Sequence, residues 1–138
     1  MRKIILASHG DLAKGMKSTI KMLSGIDDNI VAVGFYDGED VKNVFNKVES
    51  MLNIEDEFII ITDLPGGSVN TVLTPLVRRG NVHLISGMNT VLVLMLALCT
   101  SYEIECILNC IDEGKTSMVY VNEILKENKK EESGDFFD

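Results

Sequence analysis

The sequence predicts an α/β fold, a doubly wound and mostly parallel sheet with flavodoxin-like strand order. Two observations lead there. Short apolar runs alternate with stretches of 3.6-residue periodicity along the 138 residues. The strongest run, Phe58-Ile59-Ile60-Ile61-Thr62, is apolar on both faces, as in a parallel sheet covered by helices. Right-handed crossovers between parallel strands then leave the flavodoxin-like order as the leading arrangement.

The elements follow in order. Residues 4–8 are a buried strand by length and Ile/Leu content. Asp11 opens a helix with Leu12, Met16, Ile20 and Leu23 on one face, ended by Gly25. The run IVAVGF, residues 30–35, is a second strand. Val41, Val44, Phe45, Val48, Met51 and Leu52 trace a helical stripe, with acidic residues before it that suit a helix N-terminus. After the third strand, Asp63-Leu64-Pro65-Gly66-Gly67-Ser68 is a loop on composition. A helix with Val69, Val72, Leu73, Leu76 and Val77 inward comes next, and Pro75 should kink or shorten it. Residues 81–86 form a fourth strand containing His83, read as a packed or sheet-face residue. Helices are expected over 89–99 and 102–112, the second stopped by Gly114. SMVYV, residues 117–121, reads as a short last strand, at an edge or paired with another chain. One domain spans 1–125. The charged tail, 126–138, is expected to run from a solvated helix end into disorder.

Composition narrows the function. With 21 acidic and 13 basic residues the net charge is −8, which makes nucleic acid and anionic membrane poor partners. The longest apolar run, residues 91–99, is too short to span a bilayer, and no secretory segment is legible at the N-terminus, so a cytoplasmic location is expected. Cys99, Cys106 and Cys110 lack the paired spacing of a zinc site and read as small buried hydrophobes of a reducing compartment. No metal or cofactor is expected.

In a doubly wound sheet, ligands bind at the carboxyl ends of the strands. If strands one and three are neighbours, His9 and Asp63 meet there. A carboxylate that accepts from Nδ1–H fixes the imidazole and leaves Nε2 with its lone pair. No G-x-S-x-G elbow is present, so His9 itself is the expected nucleophile. Gly10-Asp11 and Gly66-Gly67-Ser68 each open a helix, and both N-termini offer amides to an anion. His9 and Asp63 as catalytic pair, with Gly10, Gly66, Gly67 and Ser68 as phosphoryl binders, satisfy the needs of phosphoryl transfer onto histidine.

The stretches KIILASHGDLAKGMKSTIKMLSG, IIITDLPGGSVNTV and LISGMNTVLVLMLAL resemble the mannose-class enzyme IIA of the bacterial phosphoenolpyruvate-dependent sugar phosphotransferase system. The resemblance runs to about Val121 and implies a cytoplasmic phosphocarrier. Its histidine, His9 by motif position, would accept a phosphoryl group from HPr at Nε2 and pass it to a IIB component serving membrane subunits IIC and IID. Asp63 would hold Nδ1–H, and Ser68 with the loop amides would bind the phosphoryl oxygens. The family also forms homodimers in which the last strand joins the partner's sheet, which would suit SMVYV. No IIB segment follows, so a stand-alone IIA is expected. Pro65 stands where the family commonly has an aromatic, and Val69 where proline often follows the serine, which changes the rim that meets partners. Two alternatives stay open: a IIA-like subunit of a dihydroxyacetone kinase, and a response-regulator receiver domain phosphorylated at Asp63. A receiver needs an acidic pair after strand one, where this chain has Ser8-His9.

Overall fold

The computed structural model describes residues 1–135. Four parallel strands, β1 (Arg2–His9), β2 (Ile30–Phe35), β3 (Glu57–Thr62) and β4 (Val82–Ser86), form one sheet in the order β2-β1-β3-β4. This is the flavodoxin-like order. The helices are α1 (Leu12–Ser24), α2 (Lys42–Met51), α3 (Ser68–Leu73), α4 (Thr90–Leu98), α5 (Ile104–Thr116) and α6 (Val121–Asp135).

The alternation of side chains along each strand builds two cores. Ile4, Leu6, Ile59, Ile61 and Ile85 pack on one face against Met16 and Ile20 of α1, Leu92, Val93 and Leu96 of α4, and Ile107 and Cys110 of α5. Ile5, Ala7, Ile60 and Phe58 pack on the other face against Val44 and Val48 of α2 and Val69 and Leu73 of α3. Both faces of β1 and β3 are therefore dry, which is why these runs read as continuously apolar.

Pro75 acts as its chemistry requires: α3 is only six residues long and continues as a 3-10 helix, Thr74–Arg79. Gly25 closes α1 in the left-handed conformation, at φ 77°.

The structure corrects several expectations. Gly114 does not stop α5 but lies buried within it, because a Cβ there would sit 3.0 Å from Leu92 Cβ and 3.2 Å from the Asn89 amide. It is a close-packing glycine, and a local stop signal cannot be told from one without knowing the neighbouring helix. Residues 117–121 form no strand in the chain: Ser117 caps α5, Val121 opens α6, and Met118, Val119 and Tyr120 are exposed between them. A strand needs a ladder partner, and no edge of this sheet takes the segment up. The tail, expected to run from a solvated helix end into disorder, continues α6 through Asp135, and the expectation for residues 136–138 lies outside the described residues. Cys99 and Cys106 are half-buried and joined as a disulfide, while Cys110 is a buried thiol. The reading of all three as reduced, buried hydrophobes holds for Cys110 alone.

Candidate functional site

The site is assembled at the carboxyl edge by the register of β1 against β3. Ala7 pairs with Thr62, so the next residue of each strand, Ser8 and Asp63, and then His9, emerge side by side from the sheet. Ser8 is fully buried and its hydroxyl accepts from the Ala13 N–H at 2.7 Å, capping α1 from the end of the strand. The cap expected from Asp11 is absent: that carboxylate instead accepts from the Tyr36 hydroxyl at 2.7 Å.

His9 is held at three points. Oδ2 of Asp63 accepts from the His9 backbone N–H at 2.9 Å and lies 2.7 Å from Nδ1. The ring of Phe35 stands edge-on to the imidazole, with centroids 5.6 Å apart. Oγ of Ser68 lies 3.1 Å from Nε2. A carboxylate at Nδ1 keeps the proton on that nitrogen, so Nε2 carries the lone pair and the serine hydroxyl donates to it. The imidazole is 44% exposed while Asp63 is only 10% exposed, so the ring meets solvent and its orienting group does not.

Desolvation pushes the Asp63 carboxyl upward, but the hydrogen bonds from the His9 backbone and imidazole, the imidazole charge and the Leu64 N–H outweigh it. Asp63 is therefore held below the usual carboxylate value and stays an acceptor across the physiological range.

The loop after β3 needs its glycines for different reasons. Gly66 has φ 75°, a left-handed conformation that side chains resist. A Cβ on Gly67 would come within 2.9 Å of the Leu64 side chain and 3.3 Å of its carbonyl oxygen. The loop is fixed from beneath by a buried hydroxyl: Thr62 Oγ1 donates to Asn70 Oδ1 at 2.9 Å and lies 2.8 Å from Ser86 Oγ. That network joins β3, β4 and α3 and sets the height at which Ser68 faces His9. Sequence reading missed it, since Thr62 and Ser86 looked like ordinary strand ends.

His9, Asp63 and Ser68 thus come together; Gly10 follows His9 directly, and Gly66 and Gly67 immediately precede Ser68. The glycine amides are less available than expected. Gly10 N–H donates to Phe35 at 2.7 Å and Gly67 N–H to Leu64 at 3.3 Å. The Ser68 hydroxyl and the first-turn amides of α3 are the donors nearest in sequence to that loop. Beside the imidazole, Gly10, Phe35, Tyr36 and Asp37 shape a hollow of about 240 Å³. Lys14 lies 5.1 Å from the Tyr36 ring centroid, and Tyr36 holds that ammonium above its ordinary pKa by hydrogen bonding and charge. Among the described residues no cluster of His, Cys, Asp and Glu suits a metal ion, and no helix is long and apolar enough to cross a membrane.

Comparison with known proteins places the fold and the family. The chain is 26% identical over 93 residues to the fructose-specific EIIA component of the phosphotransferase system of Bacillus subtilis (strain 168), a match covering 64% of this chain and 64% of that relative. The chain thus spans less than two thirds of that relative's length. It superposes on the phosphotransferase-system IIA protein associated with the fucose utilization operon of Streptococcus pneumoniae with a TM-score of 0.76 and 28% identity, covering 90% of this chain and 96% of that one. The same fold recurs in phosphotransferase system component EIIA from Streptococcus agalactiae, at TM-score 0.80 and 22% identity over 89% of this chain and 99% of that one. Residues 3–106 match the EIIA-man family model, described as the fructose IIA component of the phosphotransferase system, and the chain belongs to that family.

Proposed function

We propose that this protein is a cytoplasmic phosphohistidine carrier of a sugar phosphotransferase system. In this reading His9 takes a phosphoryl group from phospho-HPr and hands it to a IIB component that serves membrane subunits IIC and IID. The observation that carries it is the 2.7 Å contact of Asp63 with Nδ1 of His9, which leaves Nε2 exposed at the carboxyl edge of the sheet.

The step follows from that geometry. The Nε2 lone pair attacks phosphorus of the donor's phosphohistidine, a new N–P bond forms in line with the breaking one, and the donor imidazole leaves. The His9 ring gains positive charge as the bond forms, and the buried Asp63 carboxylate against Nδ1–H stabilises it. Ser68 turns its hydroxyl from Nε2 to a phosphoryl oxygen, and the first-turn amides of α3 accept a share of the negative charge. Transfer to IIB is the same displacement in reverse. The charge balances when the donor ring is protonated at its other nitrogen: that ring leaves as neutral imidazole, and the positive charge passes to His9. The exposed apolar side chains of Met118, Val119, Tyr120 and Val121 support a homodimer in which this segment is covered by a second copy.

The test is incubation with labelled phosphoenolpyruvate, enzyme I and HPr, followed by acid and base treatment of the labelled chain. An acid-labile, base-stable label that is lost in His9→Gln is expected. Label retained in His9→Gln, or an acyl phosphate at Asp63, overturns the reading.

A further inference from the structure

At the opposite end of β1 from His9 lies a second concentration of chemistry that phosphoryl transfer does not use. Arg2 is 6% exposed, and its guanidinium is enclosed by three groups. Nη1 points at Cys99 Sγ at 3.7 Å, Nη2 lies 3.5 Å from Glu57 Oε2, and the Tyr102 ring covers the carbon with its centroid 4.9 Å away. Nε and Nη2 are buried and make no hydrogen bond. This buried cation is ion-paired with Glu57 and also faces a sulfur, and a cation beside a sulfur favours its thiolate.

The sulfur it faces is bonded to Cys106, which sits in the first turn of α5, a position that also favours a thiolate. Cys99 caps the C-terminal end of α4, where the helix dipole opposes a negative sulfur, while the guanidinium in contact with Sγ favours one. Glu103 and Glu105 stand beside Cys106 on the wall of a cavity of about 480 Å³ that Met95, Leu98 and Asn109 also line. Cys99 shares that cavity, so the acids bear on both sulfurs, and the contact with Arg2 is what makes Cys99 the better placed to ionise. Cys110 lines the same cavity without joining the pair. Burial pushes its thiol up, the Arg2 charge opposes this, and Glu113 adds to it.

We propose that Cys99 and Cys106 form a reversible redox site, with Cys99 as the attacking thiol activated by Arg2, Cys106 as the resolving thiol, and a hydroperoxide as oxidant. The Cys99 thiolate attacks the terminal oxygen of the hydroperoxide. An S–O bond forms, the O–O bond breaks, and the departing alkoxide or hydroxide takes a proton to become the alcohol or water. Sulfur is oxidised by two electrons and the peroxide is reduced. Cys106 then attacks the Cys99 sulfenic acid; the S–S bond forms, the S–O bond breaks, and hydroxide leaves as water with the Cys106 proton. The sum is two thiols and one hydroperoxide giving one disulfide, one alcohol or water, and one water. A small dithiol reverses it by two exchange steps. The bond ties the end of α4 to the start of α5. Arg2, which meets Cys99, stands at the other end of β1 from His9, about 23 Å away at the usual rise per residue, so the bond can form and break without touching the phosphoryl site.

The experiment uses the full chain, reduced with dithiothreitol and exchanged into buffer, then treated with hydrogen peroxide and alkylated, with thiols counted by mass spectrometry. Three alkylatable thiols should fall to one, Cys110, with a linked Cys99–Cys106 peptide, and return to three with dithiothreitol. At pH 7, Arg2→Met should slow oxidation about fivefold and Arg2→Lys should restore most of the rate. Should Arg2→Met fail to fold by circular dichroism, Cys106→Ser decides: dimedone should trap a sulfenic acid at Cys99, and Cys99→Ser should give little trapping at Cys106. Three thiols surviving peroxide, a folded Arg2→Met reacting at the wild-type rate, or trapping chiefly at Cys106 in Cys99→Ser overturns the inference. The readout is thiol chemistry, so it stands or falls separately from the phosphoryl label at His9.

Discussion

The chain has two histidines, and both are paired with a carboxylate at nearly the same distance. His9 Nδ1 lies 2.7 Å from Asp63 at the carboxyl edge of the sheet. His83 Nε2 lies 2.6 Å from Glu57 near the amino edge. The pair itself is therefore no mark of a reactive site. What differs is the nitrogen that is used and what surrounds the other one. Asp63 takes Nδ1, so that Nε2 of His9 points outward to Ser68 and a glycine loop. Glu57 takes Nε2 of His83 and is shared with the buried Arg2, in a cluster where Lys3 and the N-terminal ammonium pair with Asp56. One end of the sheet holds a carboxylate against Nδ1 of an imidazole whose other nitrogen faces Ser68. The other holds carboxylates to neutralise cations that folding has brought together.

Substituting each histidine in turn gives the widest separation. His9→Gln should abolish phosphoryl acceptance from phospho-HPr, whereas His83→Gln should leave the rate within about twofold, a spread resolved by rapid-quench transfer assays. A large loss in His83→Gln would erase the distinction between the two ends. The carboxylates come next. Asp63→Asn should slow transfer about 100-fold with the fold intact, because the amide can hold the ring in the wrong tautomer and no longer offsets its charge. Glu57→Gln should leave transfer unchanged and cost about 2 kcal/mol in urea unfolding, since it leaves the Arg2 charge buried without its counter-ion.

Much of this contrast was legible in the sequence. Apolar runs of strand length placed His9 and Asp63 at strand ends, and the flavodoxin-like order made those ends neighbours, so the contact between them followed from β1 and β3 alone. Contacts set by distant segments did not follow. The Gly10 amide is taken by Phe35 across the sheet, and Ser68 owes its height to Thr62, Asn70 and Ser86, three residues on three elements. Gly114 looked like a stop because its reason for being glycine is Leu92 on another helix. The cysteines read as core because nothing in their spacing shows that the end of α4 meets the first turn of α5 beside Arg2. Local pattern carried the elements, and the relations between elements remained for the structure to provide.

Ser68 tests how much the exposed nitrogen depends on its neighbour. Its hydroxyl makes one neutral hydrogen bond to Nε2 at 3.1 Å and, in the proposed transfer, would make one to a phosphoryl oxygen instead. The first must be given up for the second, so the net contribution is about one hydrogen bond. Ser68→Ala should therefore slow transfer about fivefold, well short of the Asp63 effect, measured by the same rapid-quench assay. A loss as large as that of Asp63→Asn would mean that the serine, not the carboxylate, prepares the histidine.

The smallest effect is one of stability against pH, and it separates the two ends once more. Asp63 is held below its unfolded value by His9 and Leu64, and Asp56 is held far lower still by Asn53, Lys3 and the N-terminus. A carboxyl with a lowered folded pKa adds stability that is fully present above its unfolded value, near 3.9, and is lost as pH falls through the folded value. Both groups therefore contribute at pH 7, and Asp63 gives up its share first on acidification because its folded pKa is the less depressed. Urea midpoints of wild type and Asp63→Asn should differ at pH 7 and converge as the pH falls below about 4, while the gap between wild type and Asp56→Asn should persist to lower pH. Convergence of both gaps over the same pH interval would mean that the two carboxylates are held equally, and that the reactive end of the sheet is as strongly ion-paired as the structural one.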